Sequence, residues 1–195
     1  MPADPLRILI IDENTIRASI LEEGFREAGY EDVIRISDMQ SLLRRVVDAD
    51  PSVIFIDLQN PNRDVLEQMF QVSRSVRRPV AMFVDQSDTA STEAAIDAGV
   101  SAYIVDGLRK ERVKPILDMT ISRFNSFNRL REELDRTKQA LEDRKIIDKA
   151  KGILMKSRNL SEDEAYALMR KAAMNESRRL ADVAQSIVTA AKLLG

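Results

Sequence analysis

Cysteine and histidine are both absent from this 195-residue chain. Without cysteine there is no disulfide framework and no thiolate metal site. Without histidine there is no imidazole base and no histidine-ligated zinc. Those two gaps exclude most hydrolase, metalloenzyme and deaminase chemistry. Only 6 glycines are present, and none form a glycine-rich phosphate loop, so an enzyme is the weakest reading. No apolar run reaches membrane-spanning length and no signal peptide is evident, which leads us to expect a cytoplasmic protein.

What the chain does have is ample material for a core, with 44% hydrophobic and 32% charged residues. Its length suits one large domain or one ordinary domain plus a small one. The net charge of −2 conceals an asymmetry: residues 1–128 hold 15 basic against 21 acidic residues, and residues 129–195 hold 15 against 11. An acidic part joined to a basic part suggests a polyanionic partner for the basic end. There is no internal repeat and no low-complexity segment.

Five short apolar runs alternate with helical patterns. The runs are residues 7–11 (RILII), 33–36, 52–56 (SVIFI), 79–84 (PVAMFV) and 102–105. Helical spacing occupies residues 14–28, 37–49 (with Ser37 and Asp38 as expected N-caps), 64–76 and 88–98. Four of the five runs are apolar on both sides, the mark of strands buried on both faces. The pattern implies a five-stranded parallel sheet covered by helices, with its ligand site beyond the carboxyl ends of the strands. Those ends carry Asp12, Glu13, Asp57, Asp85 and Asp106.

From about residue 110 to 157 no break is visible, and Pro115 fits a first helical turn. Phe127, Leu130, Leu134, Thr137 and Leu141 follow the 3-4-3-4 spacing of a short coiled-coil seam. A helix over residues 115–157 would be on the order of 64 Å long, so we expect it to pair with a second copy in a homodimer. Two short helices complete the pattern. One opens on a Ser161/Glu164 capping box and presents Ala165, Leu168, Met169, Ala172 and Ala173; the other, at about residues 180–194, presents Leu180, Val183, Ala184, Ile187, Val188 and Ala191. Each must bury its apolar face against Ile147, Ala150 and Leu154. Met155, Met169 and Met174 are expected to pack and Tyr166 to lie at the core's edge.

Asp12, Glu13 and Asp57, at the ends of the first and third strands, resemble the receiver domains of two-component response regulators over residues 5–122. The resemblance implies a flavodoxin-like fold, Mg²⁺ held by Asp12, Glu13 and Asp57, and Asp57 as phosphoacceptor. Clustered carboxylates do need a hard cation. Two positions depart from the family: Val84 stands where a hydroxyl residue is usual, and Asp106, followed by Gly107, stands where a lysine is usual. Asp106 would repel a phosphoryl dianion. The reading favoured is a pseudo-receiver that keeps the fold and senses through a protein contact; in the plainer alternative some of these aspartates simply cap helices.

On a helical wheel Lys145, Lys149, Gly152 and Lys156 share one stripe, with Arg144, Lys151 and Arg158 on a second rail. Charge alone describes a solvated basic face. The segments 150–155 (AKGILM), 161–166 (SEDEAY), 170–174 (RKAAM) and 179–184 (RLADVA) resemble, in order and at full spacing, the ANTAR domain of the AmiR and NasT antitermination regulators. The layout is most similar to the NasT branch. That resemblance implies domains at 1–122 (receiver), 123–143 (coiled coil) and 144–195 (three-helix RNA binder). It further implies a dimer that stabilises leader-RNA hairpins against a terminator, and a nitrate-sensing partner that holds the regulator inactive. Candidate RNA contacts are Arg144, Lys145, Lys149, Lys151, Gly152, Lys156, Arg158, Arg170, Lys171, Asn175, Arg178 and Arg179. The alternatives are a DNA-binding response regulator and a module binding an acidic protein. The former is disfavoured because the last helix is small and apolar rather than basic.

Overall fold

In the computed structural model, residues 6–59, 61–105 and 109–194 are described. They fall into two compact units, residues 1–128 and 129–195. Asp106, Gly107 and Leu108 lie outside the described residues.

The first unit alternates strand and helix: β1 (Ile8–Ile11), α1 (Thr15–Glu27), β2 (Val33–Ile36), α2 (Leu42–Ala49), β3 (Val53–Leu58), α3 (Arg63–Ser75), β4 (Val80–Val84), α4 (Thr89–Asp97) and β5 (Ala102–Val105). A 3₁₀ turn at Lys110–Arg112 leads into α5 (Val113–Arg158). All strand pairs are parallel, in the order β2-β1-β3-β4-β5. Strict alternation along each strand separates two cores. Ile8, Ile10, Val53, Phe55, Ala81 and Phe83 pack on one face with Leu21, Phe25 and Leu117. Leu9, Ile11, Ile54, Ile56, Val80 and Met82 pack on the other with Leu42, Val46, Met69 and Phe70. Phe55 bridges Phe25, edge to face at 4.7 Å, and Phe83, at 6.1 Å.

Helix ends follow local chemistry. Asn14 caps α1 through Oδ1, which accepts the Ile16 and Arg17 amide hydrogens, and Asp88 caps α4. Gly29 and Gly99 take positive φ (90° and 82°) just past α1 and α4, and the next amides, of Tyr30 and Val100, reach back to Phe25 and Ala95. One expected boundary is corrected. The second helix starts at Leu42 rather than residue 37, because the Asp38 carboxylate accepts the Gln40 amide hydrogen in a turn. Ser41 then enters α2 with φ 51° and no side-chain cap.

The second unit contains the C-terminal part of α5, α6 (Glu162–Asn175) and α7 (Leu180–Leu194). Ala150, Leu154, Ala165, Met169, Ala184 and Val188 form its core, flanked by Ile146, Ile147, Ile153, Leu160, Leu180 and Ile187. The Ser161/Glu164 capping box is present in both directions. Ser177, at φ 51°, ends α6, with the Arg178 amide bonded to the Ala173 carbonyl. Met169 is buried, but Met155 and Met174 are exposed, which corrects their expected packing; Tyr166 is 43% exposed. Met174 directly follows buried Ala173, about 100° further around α6, and so faces outward.

Gly24 on α1 sets the approach of α5. A Cβ there would sit 3.0 Å from Val113 Cγ2 and 3.3 Å from the Lys110 carbonyl oxygen. Gly24→Ala should therefore destabilise the first unit by about 1–3 kcal/mol through overpacking, despite alanine's higher helix propensity. A urea denaturation midpoint equal to or above wild type would contradict this.

Candidate functional site

The first candidate site lies at the carboxyl edge of the sheet, where β1 and β3 are neighbours and their connections run to opposite faces. Asp12 follows β1, Asp57 is the fifth residue of β3 and Asp85 follows β4. Asp12 and Asp57 are buried, at 3% and 2% exposure. A cleft of about 410 Å³ opens over them, lined also by Glu13, Asn14, Gln59 and Asn62.

Arg17, in the first turns of α1, fills the charge-bearing side of this site. Its Nε donates to Asp57 Oδ2 at 2.6 Å and its Nη2 to Asp57 Oδ1 at 2.7 Å, a two-pronged fork. Its Nη1 donates to Asp85 Oδ1 at 2.8 Å. The hydrogen bond to Asp57 raises the Arg17 pKa above its ordinary value, against the opposing effect of burial and with Asp85 adding to the rise. Sequence reasoning missed Arg17. The available signal was a cation in the N-terminal turns of a helix, where the dipole disfavours positive charge, next to a run of strand-end aspartates.

Asp12 is left differently. Its Oδ1 accepts the Asn14 amide hydrogen at 2.7 Å, whereas Oδ2 is buried with no hydrogen-bond partner. Burial pushes its pKa up to about 6; Asp57 pushes the same way, and the Asn14 amide and Arg17 oppose. Glu13 is exposed. The expected Asp12, Glu13 and Asp57 ligand set is thus not gathered as it stands: among the described residues no group of three or more acidic side chains is poised to hold a metal. Asp57 has both oxygens in the Arg17 fork, and Glu13 is exposed. The carboxylate chemistry and the bare Asp12 oxygen remain compatible with a hard cation such as Mg²⁺.

The second candidate site is the basic surface of the second unit, where ion pairing divides the expected contacts. Lys151 is closed in: its Nζ lies 2.7 Å from Asp148 Oδ1 and 2.6 Å from Glu162 Oε1, joining α5 to the start of α6. Those bonds, to Asp148 first, raise its pKa. Arg179 forks onto Asp182 at 2.7 and 3.1 Å. Arg178 donates to Glu176, to the Asp182 carbonyl and to Ser186. Arg144 has a looser partner, Asp148 at 3.9 Å. Lys145, Lys149, Lys156, Arg158, Arg170 and Lys171 are exposed and have no ion-pair partner among the described residues, and Asn175 is exposed as well. Gly152, between Lys149 and Lys156 on α5, has open space around it: a Cβ there would meet nothing within 4 Å.

Asp12 yields a pH test. A carboxyl whose folded pKa is raised destabilises the fold as pH climbs from the unfolded value near 4 through about 6, and the penalty is fully present above that. Asp12→Asn, in chelator, should be more stable than wild type at pH 7.5 by up to ~3 kcal/mol. The gap should close towards pH 4. Parallel melting curves across that range would contradict the assignment.

Comparison with known proteins agrees with this geometry. The response regulator receiver domain family matches residues 8–118, and the ANTAR domain family matches residues 135–188. The transcriptional regulatory protein PdtaR of Mycobacterium tuberculosis is 27% identical over 186 residues, covering 95% of this chain and 91% of that protein. The nitrate regulatory protein of Klebsiella oxytoca is 33% identical over 76 residues, covering 39% of this chain and 19% of that protein. A CheY-like receiver domain protein from Methanospirillum hungatei superposes with a TM-score of 0.54 at 16% identity over 62% of this chain and 97% of its own, a likeness of fold alone. No described helix is long and apolar enough to cross a membrane. The chain belongs to the response regulator receiver family: it is a response regulator in which a receiver domain is followed by an ANTAR module, and neither belongs to an enzyme family.

Proposed function

We propose that this regulator acts in transcription antitermination, as a homodimer whose ANTAR modules bind hairpins in a leader transcript and so prevent a terminator from forming. The observation that carries the reading is Gly152. Glycine in a helix interior costs about 1 kcal/mol relative to alanine. Nothing among the described residues needs the missing Cβ, since the space beside it is open. Lys145, Lys149 and Lys156 lie along the same stripe, exposed and without ion-pair partners among the described residues. A bare backbone patch between unpaired ammonium groups suits close approach of a phosphodiester chain. Arg158, Arg170 and Lys171 extend the supply of free charge, and exposed Tyr166 offers a ring to an unstacked loop base.

Lys151, Arg178 and Arg179 take another role in this reading. Their charges are already matched, so they brace α5, α6 and α7 and contribute little counterion release. Asn175 and Arg144, on the margins of these braces, are secondary contacts.

The dimer rests on α5. Phe127, Leu130, Leu134 and Leu141 are exposed at 62, 63, 53 and 54%, an apolar seam at 3-4 spacing left uncovered among the described residues. Nitrate and nitrite assimilation, with a nitrate-sensing protein as inhibitory partner, is the specific branch proposed; the resemblance to a nitrate regulatory protein supports it. In this reading residues 1–122 are the sensing receiver, 123–143 the coiled-coil linker and 144–195 the RNA-binding head. Sequencing transcripts crosslinked to the protein in cells tests the branch. Recovery of unrelated leaders would redirect it.

Gly152→Ala should move two measurements in opposite directions. Stability of the second unit should rise by about 1 kcal/mol, while affinity for a leader hairpin falls several-fold. Lys149→Ala and Lys156→Ala should each reduce the salt slope of hairpin binding by about 1, and Lys151→Ala should lower stability with little change in slope. Duplex DNA at matched salt is the control; equal affinity for it would favour the DNA-binding reading.

Leu134→Asp should convert the dimer to monomer in analytical ultracentrifugation, with circular dichroism otherwise preserved. A persisting dimer would place the self-association surface elsewhere.

A further inference from the structure

The acidic pocket already contains a cation, and that cation is part of the chain. Asp57 is 2% exposed, and both of its oxygens are engaged by the Nε and Nη2 of Arg17. The third arm of the guanidinium is anchored on Asp85. Asp12 lines the same cleft, 3% exposed, with Oδ2 lacking any partner. A buried carboxylate oxygen without a partner is costly, and such groups normally find a hydrogen-bond donor or a metal. The cleft thus has one carboxylate held on both oxygens by a guanidinium and one held on a single oxygen.

We propose that Arg17 is the residue that sets the cation selectivity of this pocket, holding Asp57 for itself and excluding a divalent ion from it. Two positive charges compete for one carboxylate. A hard divalent cation bridging Asp12 and Asp57 would have to share an Asp57 oxygen already bonded to Arg17, and would meet the guanidinium at short range in a buried site. Each would weaken the other's hold on Asp57. Arg17 has an alternative resting place on Asp85, which is partly exposed and reachable by the same side chain. Loading the pocket therefore requires the fork to release Asp57, and wild-type affinity for a divalent ion is lowered by the strength of that fork. Arg17 acts here through Asp57 and is a positioning residue.

The experiment is a titration of the full-length protein with Mn²⁺, followed by loss of the free-ion electron paramagnetic resonance signal. Melting curves in Mg²⁺ and in chelator run in parallel. Arg17→Met keeps length and removes charge. It should bind Mn²⁺ roughly tenfold or more tightly than wild type, and its melting temperature should rise with Mg²⁺ where that of wild type barely moves. Adding Asp57→Asn to Arg17→Met should abolish the gain. If Arg17→Met folds only with metal present, that refolding is itself the expected gain. Arg17→Lys, which keeps a charge but cannot fork, should fall between. Equal Mn²⁺ affinity across wild type, Lys and Met would overturn the proposal. So would a gain that survives Asp57→Asn.

Discussion

A five-stranded parallel sheet whose central strands β1, β3 and β4 are buried on both faces dictates how the first unit is built. Such a sheet needs helices on each side, and parallel pairing sends every connection from one edge to the other. All strand ends of one polarity therefore converge on a single edge. The aspartates after β1 and β4 and within β3 are brought together by topology and not by sequence proximity. Convergence creates an electrostatic problem, because neighbouring carboxylates at low exposure repel and each loses hydration. Arg17 is the chain's internal answer for Asp57 and Asp85. Asp12, close to the same group but outside its fork, keeps an unmatched oxygen. Concentrating positive charge on one side of the cleft leaves the other side short of it.

Features set by near neighbours were legible in the sequence. The β3 and β4 runs could be read because every residue in them is apolar or lies at the strand's end. The Ser161/Glu164 box could be read because its partners are three residues apart, and α7 because its apolar spacing is nearly ideal. The start of α2 was misread for an equally local reason: Asp38 and Ser37 look like caps, but the Asp38 side chain satisfies a turn instead. Arg17 was invisible on other grounds. Its partners lie 40 and 68 residues away, and which of five strand-end carboxylates it would reach depends on the sheet order. The expected metal set of Asp12, Glu13 and Asp57 rested on the spacing of acidic residues, and spacing does not reveal that a guanidinium stands among them.

The basic head shows the same limitation and makes its consequence plain. A helical wheel places Lys151 beside Arg144 and Arg158 as a rail of equivalent charges. In three dimensions Asp148 and Glu162 close on Lys151, while Lys149 and Lys156, a few residues away, have no such partner among the described residues. A lysine already neutralised gains little from a phosphate, since two short ion pairs must be broken to form one. A free lysine has no ion pair to give up and releases the polyanion's counterions on contact. Counting basic residues therefore overstates the interface, and pairing decides which of them remain available. By that measure the presented charge follows the stripe that Gly152 interrupts. Open backbone and unpaired ammonium groups coincide there, and among the described residues no packing requirement explains why a helix former does not stand in the glycine's place.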